Sequence, residues 1–99
     1  MEKIKNIHEN RLKSLRNEVG LSQGELAEEV GVSYRTIQNW ENGVNQIKPD
    51  KAQLLADYFY VEVAYLLGFS PFRNRWEEDF YYTTGYPISL VPTPRDEDN

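Results

Sequence analysis

Apolar residues recur at three- and four-residue intervals along the first 70 residues, which is the pattern of short amphipathic helices. Glycines interrupt the pattern where helices are expected to end, at Gly20, Gly31, Gly43 and Gly68. The first predicted helix carries one stripe that is expected to face the core, made of Ile4, Ile7, Leu12, Leu15 and Val19. Asn6, followed three residues later by Glu9, is expected to cap its start. The sequence therefore predicts five short helices and an all-α fold over residues 1–70.

The second and third predicted helices are separated by only two residues, Gly31 and Val32. Ser22 and Glu25 form a Ser-x-x-Glu capping box at the start of the second helix, and Ser33 is the expected N-cap of the third. Their inward faces are predicted to be Leu26, Ala27, Val30, Ile37 and Trp40. A separation this short forces a sharp crossing of the two helices, as in a helix-turn-helix. An αα corner without a role in DNA binding has the same features, so the pattern alone leaves both interpretations open.

The fourth and fifth predicted helices complete this part of the chain. Pro49 is suited to the first position of a helix that runs through Ala52, Leu55, Ala56 and Phe59. A short fifth helix is predicted from Glu62 to Leu67, ending at Gly68.

The outward front of the third helix favours a role in DNA recognition. Once Ile37 and Trp40 face inward, the front consists of Ser33, Tyr34, Arg35, Gln38, Asn39 and Asn42. It holds no carboxylate, whereas an ordinary solvated helix face carries both Glu and Lys. Arginine can bind the O6/N7 edge of guanine, and Asn or Gln the N6/N7 edge of adenine. Arg35 and Asn39 are four residues apart and therefore share a face of the helix.

Taken together, the segments LSQGELAEEVGVSYRTIQNWENG and LLADYFYVEVAYLLGF resemble the Cro/CI-type helix-turn-helix family of phage repressors and bacterial xenobiotic-response-element regulators. The resemblance covers roughly residues 8–69. It implies a compact five-helix, lambda-repressor-like domain over residues 1–70 that acts as a sequence-specific transcriptional regulator. The expected type is a repressor, bound as a homodimer to an inverted-repeat operator in double-stranded DNA.

The resemblance also implies roles for individual residues. The expected base-contacting positions are Ser33, Tyr34, Arg35, Gln38 and Asn39. Gln23 is expected to contact a phosphate through its side chain, and Asn42 through backbone N–H groups of its segment. Arg16 and Glu41 match a buried ion pair that joins the first helix to the end of the third. Gly24 departs from the family, which commonly has alanine there, and weakens the start of the second helix.

The net charge of −5 limits the electrostatic support for DNA binding. Residues 1–70 carry a net charge of −2 and residues 71–99 a net charge of −3, so attraction to phosphate must come from a locally basic face. The candidate phosphate contacts are Lys3, Lys5, Arg11, Lys13, Lys48 and Lys51, with Arg11 and Lys48 preferred. The chain has no cysteine, and His8 is its one histidine. We therefore expect no metal, no cofactor, no catalytic residues and no enzymatic activity.

Residues 71–99 differ in character from the rest of the chain. They are rich in aromatic residues and proline and end in the charged run RDEDN, which we expect to be disordered. Three interpretations of residues 72–86 remain open: a sixth helical segment over the core, a dimer surface, or a binding surface for a protein partner, as in an antitoxin or adaptor. A short strand within residues 80–92 is a further alternative. No apolar run is long enough to span a membrane and the first residues do not resemble a signal peptide, so a cytoplasmic location is expected.

Overall fold

Within the described residues the fold is all-helical, as predicted, with the five helices expected before residue 70 and a sixth helix after it. A computed structural model describes residues 9–90. It contains α1 (Leu12–Glu18), α2 (Gln23–Val30), α3 (Tyr34–Glu41), α4 (Pro49–Phe59), α5 (Val63–Leu66) and α6 (Arg75–Thr84), followed by a 3-10 turn at Ile88–Leu90. No strand occurs within the described residues, so the alternative of a strand after residue 80 is wrong up to residue 90. The predicted disorder of residues 95–99 lies outside the described part.

The first helix is shorter than predicted. It begins at Leu12, and the described residues before it, 9–11, are not helical. The side chain of Asn10 accepts a hydrogen bond from the Leu12 N–H at 3.0 Å. Asn6, the predicted cap, lies outside the described residues, together with Ile4 and Ile7. Val19 was expected in the core and is exposed, because α1 ends at Glu18 and the chain turns away at Val19. Among the stripe residues that the structure describes, Leu12 and Leu15 are buried.

The predicted turn between α2 and α3 is confirmed. The side chain of Ser22 accepts from the Glu25 N–H at 3.0 Å, and Glu25 accepts from the Ser22 N–H at 2.8 Å. Gly31 follows α2 with φ 74°, a left-handed conformation that a residue without Cβ adopts at no steric cost. Ser33 then caps α3, its Oγ accepting from the Thr36 N–H at 3.1 Å. The sequence therefore fixes both ends of the turn locally.

One apolar core joins the first five helices. α2 and α3 pack against each other, α1 packs against α3, and α5 packs against α4. The buried residues of this core are Leu12, Leu15, Leu26, Ala27, Val30, Ile37, Trp40, Ile47, Ala52, Leu55, Ala56, Phe59, Val61 and Leu66. Every inward position predicted for the second, third and fourth helices is buried. The core therefore holds α3 by its apolar side and leaves the opposite side of α3 exposed to solvent.

The sixth helix stands apart from this core. None of its residues is buried, so the part of the prediction that placed it over the core is wrong. Its start is nevertheless well defined, because the side chain of Asn74 accepts from the Glu77 N–H at 2.8 Å. Gly85 ends the helix with φ 80°. Within residues 9–90, no helix is both long and apolar enough to cross a membrane.

Candidate nucleic-acid interface

The outward side of α3 carries the residues that the sequence analysis predicted to contact bases. Ser33, Tyr34 and Arg35 are exposed, and Gln38 and Asn39 are partly exposed. Ile37 and Trp40, on the opposite side, are buried in the core. A helix held by its apolar side in this way projects the other side rigidly. The structure thus brings the five predicted base-contacting residues onto one surface of one helix.

This surface is free of exposed carboxylates, although α3 itself contains one acidic residue. The side chain of Glu41 is only 1% exposed and pairs with Arg16. Arg35 is exposed, and its side chain forms no ion pair or hydrogen bond with any residue between 9 and 90. The guanidinium of Arg35 is therefore the one charge on the exposed side of α3, within a chain of net charge −5.

Glu41 is the centre of a network that ties α1, α2 and α3 together. The Arg16 guanidinium donates to both carboxylate oxygens of Glu41, from Nε at 2.6 Å and from Nη2 at 3.0 Å. Gln23 donates from Nε2 to Glu41 Oε1 at 2.9 Å, and Arg16 Nη1 donates to the Leu21 carbonyl at 2.9 Å. The hydrogen bond with Glu41 raises the pKa of Arg16 above its ordinary value. The predicted buried pair is present, and it also fixes the side chain of Gln23 at the start of α2.

Two polar side chains on the surface of α3 are bonded to each other. Gln38 donates from Nε2 to the Tyr34 hydroxyl at 3.2 Å, one helical turn away. The bond restricts both side chains before any ligand binds, while the amide oxygen of Gln38 stays available as an acceptor. Neither the spacing nor the resemblance indicated this bond, although residues four apart on a helix are always neighbours.

Asn42 lies at the end of α3, where the backbone N–H groups of its segment bond within the chain. The Asn42 N–H donates to the Gln38 carbonyl at 2.9 Å, and the N–H groups of Gly43 and Val44 donate to Trp40 and Asn39. These backbone donors are used within the chain, so they are not free for a phosphate. The side chain of Asn42 is exposed, and its amide is the donor that remains.

The basic residues that were predicted to contact phosphate have different surroundings. Arg11 donates from Nη1 to the carbonyls of Tyr65 at 2.6 Å and Ser70 at 2.8 Å, and its guanidinium lies 4.1 Å from the centre of the Tyr65 ring. Arg11 therefore holds the chain after α5 against the start of α1. Lys48 and Lys13 are exposed and Lys51 is partly exposed, whereas Lys3 and Lys5 lie outside the described residues.

Two further polar contacts in the described part have no counterpart in the sequence-based predictions. Asn10 donates from Nδ2 to the Trp40 carbonyl at 3.0 Å, which links the residues before α1 to the end of α3. Arg73 pairs with Glu18, which links the residues before α6 to α1. Each contact joins residues at least 30 positions apart. Among residues 9–90, no cluster of three or more His, Cys, Asp or Glu side chains is placed to hold a metal ion.

Comparison with known proteins agrees with this geometry. A sequence model described as helix-turn-helix matches residues 12–66, which is more than half of the chain. Two curated proteins described as uncharacterized HTH-type transcriptional regulators, from Sinorhizobium medicae and Rhizobium meliloti, are each 27% identical to the chain over 62 residues. The match covers 63% of this chain and 45% of each relative, so the chain spans less than half of the length of these relatives. No solved structure matches the chain significantly.

Proposed function

Because the chain belongs to the helix-turn-helix family, of the xenobiotic-response-element type, we propose that it is a transcriptional regulator that binds DNA sequence-specifically through α3. The observation that carries the proposal is the outward side of α3. It offers one unpaired guanidinium and several uncharged hydrogen-bonding groups, and its single carboxylate is buried. A major groove admits a helix and presents donors and acceptors that such groups can distinguish.

Four residues of this side have separate roles in the proposal. Arg35 binds a guanine edge, and Asn39 reads a neighbouring base pair one turn along the helix. Gln38 reads a base through its amide oxygen while its Nε2 bonds to Tyr34. Ser33 lies at the N-terminal edge of the contact, where its Oγ caps α3 and also lies 2.9 Å from the Thr36 hydroxyl.

Phosphate contacts set the orientation of α3 in the groove. Gln23 is suited to one such contact, because Glu41 accepts from its amide at 2.9 Å and holds the side chain in one conformation. The exposed side chains of Asn42 and Lys48 supply others. Arg11 is absent from this set, because its guanidinium binds two carbonyls of its own chain.

We propose further that the protein is a repressor that binds an inverted repeat as a homodimer. Repression requires only that an occupied operator excludes other proteins, so sequence-specific binding through α3 is compatible with it. For a dimer with one α3 in each half-site, we expect the half-site centres to lie about 34–36 Å apart, which is one turn of the duplex. A cytoplasmic location is part of the same proposal.

Selection of bound sites from a pool of random duplexes tests the proposal directly. The expected result is one enriched motif with two related half-sites, whose affinity falls steeply as salt is raised. Enrichment of no motif, with binding that is equal for all duplexes, would show that α3 does not read sequence.

A protein partner at residues 75–86 is the second candidate function, because four aromatic residues of α6 and the turn after it are exposed: Trp76, Tyr81, Tyr82 and Tyr86. An antitoxin or adaptor would use such a surface, and an antitoxin can also bind DNA. Genomic context separates these two candidates. A small toxin-like reading frame next to this gene favours the antitoxin, and a divergent promoter favours the repressor.

A further inference from the structure

Tyr34 and Gln38 form one hydrogen-bonded unit on the outward side of α3. Gln38 donates from Nε2 to the Tyr34 hydroxyl at 3.2 Å, across one turn of the helix. Tyr34 is the first residue of α3, and its side chain is 53% exposed. The first residues of a recognition helix are the ones that reach base edges in the major groove. The Tyr34–Gln38 unit therefore stands where the proposed function requires contacts with bases.

The direction of this hydrogen bond decides which groups the unit offers to a ligand. The Tyr34 oxygen accepts from Gln38, so the phenolic proton points away from Gln38 and stays available as a donor. Among residues 9–90, the hydroxyl has no second partner and the Gln38 amide oxygen has none. A hydroxyl that already accepts one hydrogen bond is also a stronger donor. The unit thus presents one donor and one acceptor side by side.

A Watson–Crick base pair presents the complementary groups side by side in the major groove. In an A·T pair, the N6 amine of adenine is hydrogen-bonded to O4 of thymine, so a donor and an acceptor lie about 2.9 Å apart. In a G·C pair, the N4 amine of cytosine and O6 of guanine form the same combination. A donor beside an acceptor therefore does not distinguish the two base pairs, and another group of the unit must do so.

The ring of Tyr34 is the group that distinguishes them. It is apolar and adjoins the hydroxyl, so it covers the group that flanks the acceptor of the base. In thymine the C5 methyl group flanks O4, and apolar contact with this methyl group is favourable. In guanine N7 flanks O6, and N7 is an acceptor that loses its water beneath an apolar ring and gains no donor. The Tyr34–Gln38 unit therefore favours A·T over G·C.

We propose that Tyr34 and Gln38 together read one A·T base pair of the operator. Tyr34 donates to O4 of thymine and covers the methyl group, while the Gln38 oxygen accepts from N6 of the paired adenine. Gln38 also positions the Tyr34 hydroxyl, so the preference depends on both side chains. The inference rests on the proposed function, because it assigns a base pair to the side of α3 that enters the groove.

Binding to the selected operator and to its single-base-pair variants tests the unit. For the unmodified chain, replacement of the A·T pair by G·C is expected to weaken binding by at least about 10-fold. Tyr34→Phe removes only the hydroxyl and should reduce this preference to about 4-fold, the contribution of one methyl group. Gln38→Met keeps the length of the side chain and should reduce the preference similarly. The double variant should lose no more than either single variant, because each change already breaks the unit.

Gln53→Met and Tyr60→Phe are the matched controls. Gln53 donates from Nε2 to Asp57 at 2.9 Å across one turn of α4, so its replacement removes the same type of bond from another helix. Tyr60 is 89% exposed at the end of α4, and its replacement removes one phenolic hydroxyl outside α3. Both controls are expected to keep the preference of the unmodified chain at every base pair.

Modified bases test the individual contacts. Uracil in place of thymine keeps O4 and removes the methyl group, which should weaken binding of the unmodified chain about 4-fold. Unsubstituted purine in place of adenine removes the N6 amine, which should weaken it about 5-fold and leave Gln38→Met unaffected. The measurements on the unmodified chain decide the question even where a variant loses its fold.

An A·T preference that Tyr34→Phe and Gln38→Met both reduce, and that the double variant reduces no further, supports the proposal. A motif in which no A·T position responds to Tyr34→Phe overturns it and leaves the proposed function intact. The same holds for a preference that Gln38→Met abolishes and Tyr34→Phe leaves unchanged, which would show that Gln38 alone binds N6 and N7 of adenine. Binding by the unmodified chain that is insensitive to loss of the N6 amine also overturns the proposal. Selection of no motif would instead overturn the proposed function, and this inference with it.

Discussion

Removal of Arg16 should expose how strongly the Arg16–Glu41–Gln23 network holds the helix-turn-helix. The Glu41 side chain is 1% exposed in the unmodified chain, and in Arg16→Met its carboxylate loses two of its three donors, those at 2.6 and 3.0 Å. Breaking one side of a buried pair costs about 3–5 kcal/mol, because the remaining charge is left without compensation. A domain of this size has a free energy of unfolding of about 5–15 kcal/mol, so a large share of the stability is lost.

The double variant Arg16→Met with Glu41→Met separates this loss from a simple loss of packing. It removes both charges and fills the site with apolar side chains, which is often nearly neutral for a buried pair. One carbonyl, that of Leu21, still loses its donor from Arg16 Nη1, at a cost of about 1–3 kcal/mol. We therefore expect the double variant to be clearly more stable than either single variant.

Urea unfolding followed by far-ultraviolet circular dichroism measures the three variants and the unmodified chain. The expected coupling energy is several kcal/mol, far above that of an exposed ion pair, and insensitive to salt because the pair is buried. Losses that simply add in the double variant, or a single-variant loss below about 1 kcal/mol, would refute the reasoning.

Three further predictions concern the backbone and the attachment of α6. Gly31→Ala should destabilise by about 1–2 kcal/mol, since φ is 74° and only backbone strain opposes a Cβ there. Gly24→Ala should stabilise by up to about 0.5–1 kcal/mol, since its φ is ordinary and the nearest atom to an added Cβ is 4.0 Å away. The same urea titration measures the free energy of unfolding of both variants. A change of the same sign in the two variants would contradict these predictions. The hydrogen bond from Arg73 lowers the pKa of Glu18, so Arg73→Gln should raise that pKa toward its ordinary value in an NMR titration. In the unmodified chain this pair stabilises the fold above about pH 4.3, and the contribution is lost as the pH falls through the lowered pKa. Because both side chains are more than a third exposed, the contribution should stay well under 1 kcal/mol, and an unmoved Glu18 pKa would exclude the pairing in solution.

The turn of the helix-turn-helix was predictable because its chemistry is local. The capping box at Ser22, the left-handed Gly31 and the cap at Ser33 each depend on residues within four positions. Val19 shows the limit of such patterns, because an apolar spacing continues past the residue where α1 actually ends. The pair of Arg16 with Glu41 was expected only from the family resemblance, since 25 positions separate the two residues.

α6 was harder to predict because it has no apolar face buried against the core. The local signals were nevertheless present: Asn74 with Glu77 three residues later marks the start, and Gly85 marks the end. The pairing of Arg73 with Glu18 joins residues 55 positions apart, and nothing in the local sequence indicates it.

The central claim is that α3 reads bases through Arg35. Once a motif has been selected, the binding of the unmodified chain and of Arg35→Ala is measured on that operator and on each of its single-base variants. The claim predicts that Arg35→Ala loses about 1–3 kcal/mol on the operator and no longer discriminates at one G·C pair. Lys48→Ala is the control, because loss of an exposed phosphate contact should weaken binding to all these duplexes equally. An Arg35→Ala chain that keeps the full preference at every base pair would contradict the claim.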